Sequence, residues 1–388
     1  MRVFLVAGEP SGDRLGGALM AGLKTLVPDV EFHGVGGPLM QAEGLTSQFP
    51  MSELSVMGLV EVLPKFFHLK RRITETAEAV LALQPDVLIT IDSPDFSLRV
   101  AKIVKASSAT RTVHYVAPSV WAWRPGRAEK MAKVIDHVLA LLPFEPPYME
   151  RAGMECDFVG HPVASEPIAT QAEIAGFREI HDLGDAPILL ALPGSRRGEI
   201  ERLADSFGGA LELFIAKHPA FRVVVPTVGA TTDLINSIVP SWPGKPVVLD
   251  PRDSDTAQAS AQKRAAFAAA DLALAASGTV SLELAAQNTP MVIAYKLNWL
   301  TQQLAERMVK LDTVTLVNLV TDTRAVPECL LDDCTPENIA AALNTVCENP
   351  GAQQDATALT MERLGRGGEA PGLRAARAVL DRLPKAHA

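Results

Sequence analysis

Short apolar runs alternate with longer amphipathic segments along both halves of the chain. In the first half, the apolar runs predict strands at residues 2–7, 30–35, 87–91, 112–116, 137–142 and 157–159. Helical periodicity lies between them, as at residues 13–26, 66–83 and 96–107. The second half repeats the pattern, with strands at residues 187–192, 222–228, 247–250, 272–275 and 291–294 and a helix at residues 257–270. Strands separated by helices are typical of parallel sheets covered on both faces, so we predict an α/β fold.

Each half opens with the same kind of turn. An apolar run is followed by small residues and then by a helical pattern, first in VFLVAGEPSGD (residues 3–13) and again in ILLALPGSRRGE (residues 188–199). This order is typical of nucleotide-binding α/β domains, and two such openings indicate two facing Rossmann-like domains with a cleft between them. We expect domains at residues 1–165 and 166–345, joined near the proline-containing segment 160–172, and a helical tail at 346–388 that packs back on the first domain.

Composition narrows the functional class. The net charge of −9 argues against a general nucleic-acid binder. We expect no leader segment, because the sequence opens with a strand pattern and lacks a charged-then-apolar stretch with a cleavage site. We also expect no membrane span, because no apolar run approaches the roughly 20 residues that cross a bilayer. The four cysteines lack C-x-x-C spacing, which favours reduced thiols in a cytoplasm. Neither G-x-G-x-x-G nor a Walker A pattern occurs, so dinucleotide redox chemistry and ATP hydrolysis are disfavoured.

Two loops of the second half suit a nucleotide diphosphate. The first contains Gly194, Ser195 and Arg196, and the second contains Ser277, Gly278 and Thr279. Backbone N–H groups at a helix N-terminus and the Arg196 guanidinium can hold an anion, and Glu283, one turn into the later helix, can accept hydrogen bonds from ribose hydroxyls. The alternative is ordinary N-capping with a solvated Glu283. Because both loops follow strands of one parallel sheet, we favour the diphosphate site.

Acidic residues follow a strand in the first half. Asp92 is the best candidate for a general base that takes a proton from an acceptor hydroxyl, because it ends an apolar strand where it would be shielded from water. Asp95 is either a substrate contact or the N-cap of the helix that follows it, and the same N-cap alternative applies to Asp92.

Aromatic and histidine side chains provide further candidates in the first half. Trp121 and Trp123 lie within three residues of each other in a chain that is only 5% aromatic. They suit a ring-stacking wall for a sugar, and the alternative is a packed loop. His114 and His161 are candidate bases, although a core position is favoured for His114 because it lies inside a predicted strand.

The segment at residues 57–72, MGLVEVLPKFFHLKRR, is apolar and basic in an acidic protein. Its candidate membrane or acyl-chain contacts are Met57, Leu59, Val60, Leu63, Phe66, Phe67, Lys70, Arg71 and Arg72. A basic amphipathic segment of this kind can lie on an anionic membrane surface. The alternative is a helix packed on the sheet, for which the stripe Phe66, Leu69, Ile73, Ala77 and Val80 has the right spacing.

Several segments resemble the lipid-A-disaccharide synthase family. They occur in the family's order over most of positions 1–320: GEPSGD, MGLVEVLP, IDSPDF, HYVAPSVWAWRPGR, LPFE, FVGHP, LPGSRRGEI, ASGTVSLELA and PMVIAYK. The VWAWR and PGSRxxEI blocks are specific. The resemblance implies an inverting glycosyltransferase with a GT-B-type fold, peripheral on the cytoplasmic face of the Gram-negative inner membrane.

The family's reaction defines the expected partners. It joins UDP-2,3-diacylglucosamine to 2,3-diacylglucosamine 1-phosphate (lipid X), releasing UDP and a β-1,6-linked lipid A disaccharide 1-phosphate. The resemblance therefore implies this donor, this acceptor and a membrane surface as partners, and no nucleic acid. An oligomer is compatible with the sequence, and we expect transfer without a cofactor or metal ion.

Particular positions match the family's motifs. Glu9 and Ser11 stand in the first glycine turn, Asp92 in IDSPD and Arg196 in PGSR. The resemblance implies that Asp92 deprotonates the acceptor's 6-hydroxyl and that Glu9 is a second catalytic residue. Asn318 stands in TLVNL, where the family usually has proline before the asparagine and this chain has valine.

Two other functions are alternatives to glycosyl transfer. A UDP-sugar 2-epimerase shares the two-domain plan but needs no lipid acceptor. Residues 57–67 contain more apolar side chains than a packed helix needs, which argues against an epimerase. A non-catalytic two-lobed binding protein is usually exported, and the expected lack of a leader argues against it.

Overall fold

In the computed structural model, the described residues are 1–54, 59–121, 126–297 and 312–383, with residues 59–66 described by their backbone alone. The chain divides into two compact units. Unit 1 comprises Met1–Ser165 and Leu364–Ala388, and unit 2 comprises Glu166–Arg363. Each unit contains a parallel sheet, which confirms the predicted α/β fold.

Unit 1 is built on a sheet whose order, across the described residues, is β3-β2-β1-β4-β5-β6-β7. The strands are β1 (Arg2–Ala7), β2 (Glu31–Val35), β3 (Thr46–Ser47), β4 (Val87–Ile91), β5 (Arg111–Tyr115), β6 (His137–Ala140) and β7 (Glu155–Phe158). The helices that accompany them are α1 (Pro10–Leu26), α2 (Pro38–Ala42), α3 (Leu59–Leu83), α4 (Pro94–Ser107), α5 (Gly126–Met131) and α6 (Pro146–Arg151). The elements β3 and α2 were not predicted, because two and five residues are too few for a periodic signal.

Burial on both faces explains the apolar strands of unit 1. All five residues of β4 are buried, and one face of the sheet packs on α1 while the other packs on α3 and α4. Gly34 of β2 pairs with Leu5 of β1 and leaves no space for a side chain. Gly34 has a φ of +132°, and a Cβ built there would lie 1.8 Å from the Leu5 carbonyl oxygen. Only glycine fits this position.

Unit 2 repeats the architecture with the strand order β10-β9-β8-β11-β12-β13 in its described part. The strands are β8 (Ile188–Leu192), β9 (Arg222–Pro226), β10 (Val247–Leu249), β11 (Leu272–Ala276), β12 (Met291–Tyr295) and β13 (Glu328–Leu330). The helices are α7 (Gln171–Ile180), α8 (Arg197–Lys217), α9 (Thr232–Ile238), α10 (Thr256–Ala269), α11 (Val280–Ala286), α12 (Leu316–Thr321), α13 (Pro336–Glu348) and α14 (Gly351–Arg363). Both β8 and β11 are fully buried and lie at the centre of this sheet.

The last helix, α15 (Pro371–Asp381), returns to unit 1 and packs on α1. Small residues allow the close approach: a Cβ at Gly22 would lie 2.6 Å from the Gly372 carbonyl oxygen, and a Cβ at Gly372 would lie 2.4 Å from that of Ala18. Arg374 donates a hydrogen bond to the Phe158 carbonyl oxygen at 2.9 Å. The return begins at Leu364, so residues 346–363 of the expected tail belong to unit 2.

Within the described ranges, none of the helices is both long enough and apolar enough to cross a membrane.

Candidate functional site

The carboxyl ends of the unit 1 strands carry the acidic candidates, because side chains that follow neighbouring parallel strands meet at one sheet edge. Asp92 directly follows β4 and has a φ of +51°, and Ser93 has a φ of +44°. The Asp92 N–H donates to the Tyr115 carbonyl oxygen at 3.0 Å, and the Ser97 hydroxyl donates to the Asp92 carbonyl oxygen at 2.9 Å. The backbone of this turn is therefore fixed in a strained conformation, while the Asp92 side chain is only half-buried.

Neither acidic residue is a helix N-cap. The N-cap position of α4 is Ser93, and Asp95 lies inside the first turn with an exposed side chain. The N-cap alternative is therefore wrong for both residues. Asp92 is half-buried, so the shielding from water expected at the end of this strand is partial.

The first glycine turn contacts the Asp92 turn. A Cβ at Gly8 would lie 2.6 Å from the Ser93 hydroxyl oxygen, so the two loops touch at these residues. Glu9 occupies the N-cap position of α1 with an extended backbone and is half-buried, and Ser11 is exposed. Both side chains therefore stand at the same sheet edge as Asp92.

Asp13 completes the GEPSGD motif and has a structural function. It is 3% exposed, and its carboxylate accepts hydrogen bonds from the N–H groups of Gly37, Leu39 and Met40 at 2.9–3.0 Å. Asp13 thus caps α2 from outside that helix, which satisfies the N–H groups at its start.

The two histidines are poor candidates for a base. His114 is 2% exposed, its Nδ1 lies 2.8 Å from the Thr90 hydroxyl, and burial lowers its pKa to about 4. The core interpretation of His114 is therefore correct. Burial also lowers the pKa of His161 to about 4, with a smaller contribution from Arg14, and the His161 Nδ1 accepts from the Val163 N–H at 3.2 Å.

Trp121 has a buried partner that the sequence did not single out. Its indole N–H donates a hydrogen bond to Glu145 Oε1 at 3.3 Å. Its ring packs perpendicular to that of Phe144, with 5.3 Å between the ring centroids. Glu145 is 4% exposed and belongs to the LPFE segment. The second tryptophan, Trp123, lies outside the described residues.

The first loop of unit 2 already satisfies two of its own N–H groups. The N–H groups of Ser195 and Arg196 donate to Glu199 Oε2 at 3.2 and 3.3 Å. The Arg196 guanidinium bonds the other Glu199 oxygen at 3.2 Å, but its side chain is 67% exposed. Gly194 allows this closed turn, since its φ is +123°. The expectation that the Ser195 and Arg196 N–H groups face an anion is corrected, because the Glu199 carboxylate occupies them.

The second loop of unit 2 is more open. Gly278 and Thr279 are exposed, Ser277 is half-buried, and a Cβ at Gly278 would meet nothing within 4 Å. Glu283 forms an ion pair with Lys263 of α10, so a ribose would have to share this carboxylate with the ammonium group. Among the described residues, no group of three or more His, Cys, Asp or Glu side chains is arranged to hold a metal ion.

Asn318 is a structural residue. It is 0% exposed, its amide nitrogen donates to the Thr313 hydroxyl at 3.2 Å and the Val326 carbonyl oxygen at 2.9 Å, and its Oδ1 accepts from the Val326 N–H at 3.0 Å. The expected contact with substrate is not supported, because these bonds turn the side chain into the protein.

We expect Asn318→Ala to lower the free energy of unfolding by about 3 kcal/mol, because buried groups of Val326 lose their partner. The affinity of the folded variant for UDP should remain unchanged. Denaturant unfolding and calorimetric titration with UDP measure the two effects. The control is Asn338→Ala, which removes a bond at the exposed start of α13 and should cost less than about 1 kcal/mol. Weakened UDP binding without loss of stability would contradict this assignment.

Some side chains of the basic segment are exposed to solvent, and others are held by contacts within unit 1. Phe67 is 82% exposed, and Lys70 and Arg71 are exposed one turn further along α3. Arg72 instead bonds Glu53 at 2.8 Å and lies 4.4 Å from the Phe49 ring centroid. The expected membrane contact of Arg72 is therefore wrong, because its guanidinium is committed within unit 1.

The predicted core stripe continues beyond the segment, and the other candidate contacts have no described side chains. Of the predicted core stripe, Ile73, Ala77 and Val80 are buried and Leu69 is half-buried. Leu59, Val60, Leu63 and Phe66 lie where α3 is described by its backbone, and Met57 lies outside the described residues.

This chain is similar to proteins of one known family. Residues 3–371 match the family described as lipid-A-disaccharide synthetase. A lipid-A-disaccharide synthase from Ruegeria pomeroyi is 74% identical, over 99% of this chain and 96% of its own length. One from Rhodospirillum centenum is 46% identical, over 99% and 95%.

A solved structure shares the fold. The UDP-GlcNAc 2-epimerase from Neisseria meningitidis bound to UDP-GlcNAc has a TM-score of 0.66 over 99% of both chains, at 12% identity. Such low identity shows the fold alone, whereas the family match and the two relatives confirm the resemblance seen in the motifs. The chain therefore belongs to the lipid-A-disaccharide synthase family, the glycosyltransferases that form the lipid A disaccharide.

Proposed function

We propose that the chain transfers diacylglucosamine from UDP to the 6-hydroxyl of lipid X with inversion at the anomeric carbon. In this proposal unit 2 binds the donor, and unit 1 binds the acceptor and supplies the base. The observation that carries it is the position of Asp92. Asp92 follows a buried central strand, hydrogen bonds to Tyr115 and from the Ser97 hydroxyl hold its backbone in a strained turn, and its side chain is only half-buried.

The mechanism is a single displacement. As the anomeric bond to UDP breaks, the diphosphate gains negative charge, which the exposed Arg196 guanidinium stabilises. Asp92 accepts the proton of the acceptor hydroxyl as its oxygen attacks from the opposite face. Glu9, Ser11 and Asp95 stand at the same sheet edge and orient the acceptor. Alignment of the two sugars contributes a further part of the acceleration.

The donor contacts follow from which groups remain accessible in unit 2. Because Glu199 occupies the N–H groups of Ser195 and Arg196, we assign the diphosphate to the Arg196 guanidinium and to the open loop of Ser277, Gly278 and Thr279. Glu283 contacts the ribose while it remains paired with Lys263. The shared fold of an epimerase bound to UDP-GlcNAc supports a UDP-sugar as the donor class.

We further propose that the exposed side of α3 contacts the inner face of the inner membrane, where both acylated substrates would be found. Phe67 provides an exposed aromatic group, and Lys70 and Arg71 provide cations that attract anionic lipid.

Charge reversal tests this contact. We expect Lys70→Glu combined with Arg71→Glu to weaken binding to phosphatidylglycerol-containing vesicles by about 30-fold or more, because each cation contributes about 1 kcal/mol. Vesicle sedimentation measures the effect, and Lys102→Glu on the exposed side of α4 is the control that should bind normally. Equal binding by the reversed variant and the wild type would remove this surface from the proposal.

One experiment tests the reaction itself. The purified chain is mixed with UDP-2,3-diacylglucosamine, with or without lipid X, and UDP release and the product's anomeric configuration are measured. We expect release only when lipid X is present, and a β-linked product. An epimerised donor without lipid X would support the epimerase alternative, and an intact donor in both mixtures would contradict transfer.

A further inference from the structure

Glu145 is a buried carboxylate that accepts hydrogen bonds from N–H groups of its neighbours. The Trp121 indole N–H donates to its Oε1 at 3.3 Å, and the Leu142 backbone N–H donates to its Oε2 at 3.0 Å. The side chain is 4% exposed, and no ion pair joins it to a lysine, arginine or histidine of the described ranges. A carboxylate that pairs with no cation of the described ranges is costly to bury, so its hydrogen bonds must offset part of its desolvation.

Helix capping does not explain this residue. Glu145 occupies the N-cap position of α6, but its side chain makes no capping hydrogen bond to that helix. Its oxygens face Leu142, three residues earlier, and Trp121, which is 24 residues earlier in the chain. The carboxylate therefore connects the loop after β6 to the loop after β5.

Those two loops belong to the candidate acceptor edge. Strands β5 and β6 are neighbours, and β5 also pairs with β4, whose end carries Asp92. Val116, directly after β5, has a φ of +87°, which a β-branched residue rarely adopts. The backbone before Trp121 is thus strained, and the indole is fixed by Glu145 on its N–H and by Phe144 at 5.3 Å with perpendicular rings.

The two N–H donors around position 145 favour a carboxylate there over an amide. Each oxygen of Glu145 accepts from an N–H, whereas a glutamine would place an NH₂ donor against one of those donors. Burial raises the pKa of Glu145 to about 7, and the bonds from Leu142 and Trp121 limit the rise.

We propose that Glu145 is a positioning residue, which holds the Trp121 indole as the wall against which the acceptor's sugar ring stacks. This inference rests on the proposed binding of the acceptor by unit 1. Glu145 touches neither substrate and acts only through Trp121.

Steady-state kinetics with lipid X and UDP-2,3-diacylglucosamine test the proposal. Three single variants are compared with the wild type: Glu145→Gln, Trp121→Phe and Trp121→Ala. At pH 8, where most Glu145 side chains are ionised, we expect Glu145→Gln and Trp121→Phe each to raise the KM for lipid X by about tenfold, since Glu145→Gln removes the charge that strengthens the hydrogen bond and Trp121→Phe removes the indole N–H. The KM for the donor should stay within about twofold and kcat within about threefold, because neither donor binding nor the base is altered.

A double variant separates positioning from a general structural effect. In Trp121→Phe the indole N–H is gone, so adding Glu145→Gln should raise the lipid X KM no further. Additive effects, or an equal loss in kcat and in both KM values, would overturn the inference. If Glu145→Gln does not fold, Trp121→Phe alone decides, because an unchanged lipid X KM would show that the hydrogen bond positions nothing.

The same measurements distinguish this inference from the proposal on which it rests. An unchanged lipid X KM in Trp121→Ala would remove Trp121 from the acceptor site and so contradict that part of the proposed function. A raised KM in Trp121→Ala, with normal values in Glu145→Gln and Trp121→Phe, would leave the acceptor wall in place and overturn only the assignment of Glu145.

Discussion

Asp92→Asn should fold, bind UDP with unchanged affinity and lose transfer activity by about 10³-fold, within the range that a general base contributes. The substitution keeps the size of the side chain and the backbone bonds to Tyr115 and Ser97, but an amide cannot accept the proton of the attacking hydroxyl. Radiolabelled transfer to lipid X measures the loss, and calorimetric titration with UDP measures donor binding.

The matched control for this prediction is Asp29→Asn. Asp29 is an exposed carboxylate just before β2, at the amino edge of the same sheet, and its loss should leave turnover near that of the wild type. Near-normal turnover of Asp92→Asn would remove Asp92 as the base. Loss of UDP binding in that variant would instead indicate a wider structural defect.

Gly34→Ala should prevent unit 1 from folding, with a cost of about 4 kcal/mol or more. The added Cβ would lie 1.8 Å from the Leu5 carbonyl oxygen, inside a sheet where both backbones are fixed by parallel pairing. Soluble yield and thermal unfolding of the purified chain measure the effect.

Gly44→Ala is the control for backbone strain. Gly44 also has a positive φ, +104°, but a Cβ there meets nothing within 4 Å. Gly44→Ala should therefore lower the free energy of unfolding only by the conformational penalty of about 1–2 kcal/mol. The difference between the two variants isolates the contact with Leu5, and equal stability of the two would show that this contact is not limiting.

Strand positions were predictable because they depend on local patterns. The bounds of β1 were predicted without error, since a buried apolar run follows the exposed Arg2 and ends at a glycine turn. The start of α1 was predicted three residues late because Pro10 was taken as part of the turn, whereas proline is well accommodated in a first helical turn.

The sheet edges that carry the candidate site could be predicted from the order of strands and helices. The hydrogen-bond partners of individual side chains could not. Asn318, Glu283 and Glu145 bond Val326, Lys263 and Trp121, which lie 8 to 24 residues away in the chain. No periodicity relates such pairs, so a polar residue in a motif cannot be assigned to substrate or to structure until its neighbours are known. Glu199 illustrates the point, because it lies within the predicted loop and occupies the N–H groups expected to bind an anion.

The packing of α15 on α1 bears on how the chain is made. Ribosomes add residues from the amino terminus, so Met1–Ser165 emerges without the segment that completes its unit. Unit 2 is continuous, and all of it has been synthesised before Leu364 is added. At typical rates of elongation, roughly 10–40 s pass between the synthesis of Ser165 and that of α15, the partner helix of α1. In this protein the unit that begins first is thus completed last during translation.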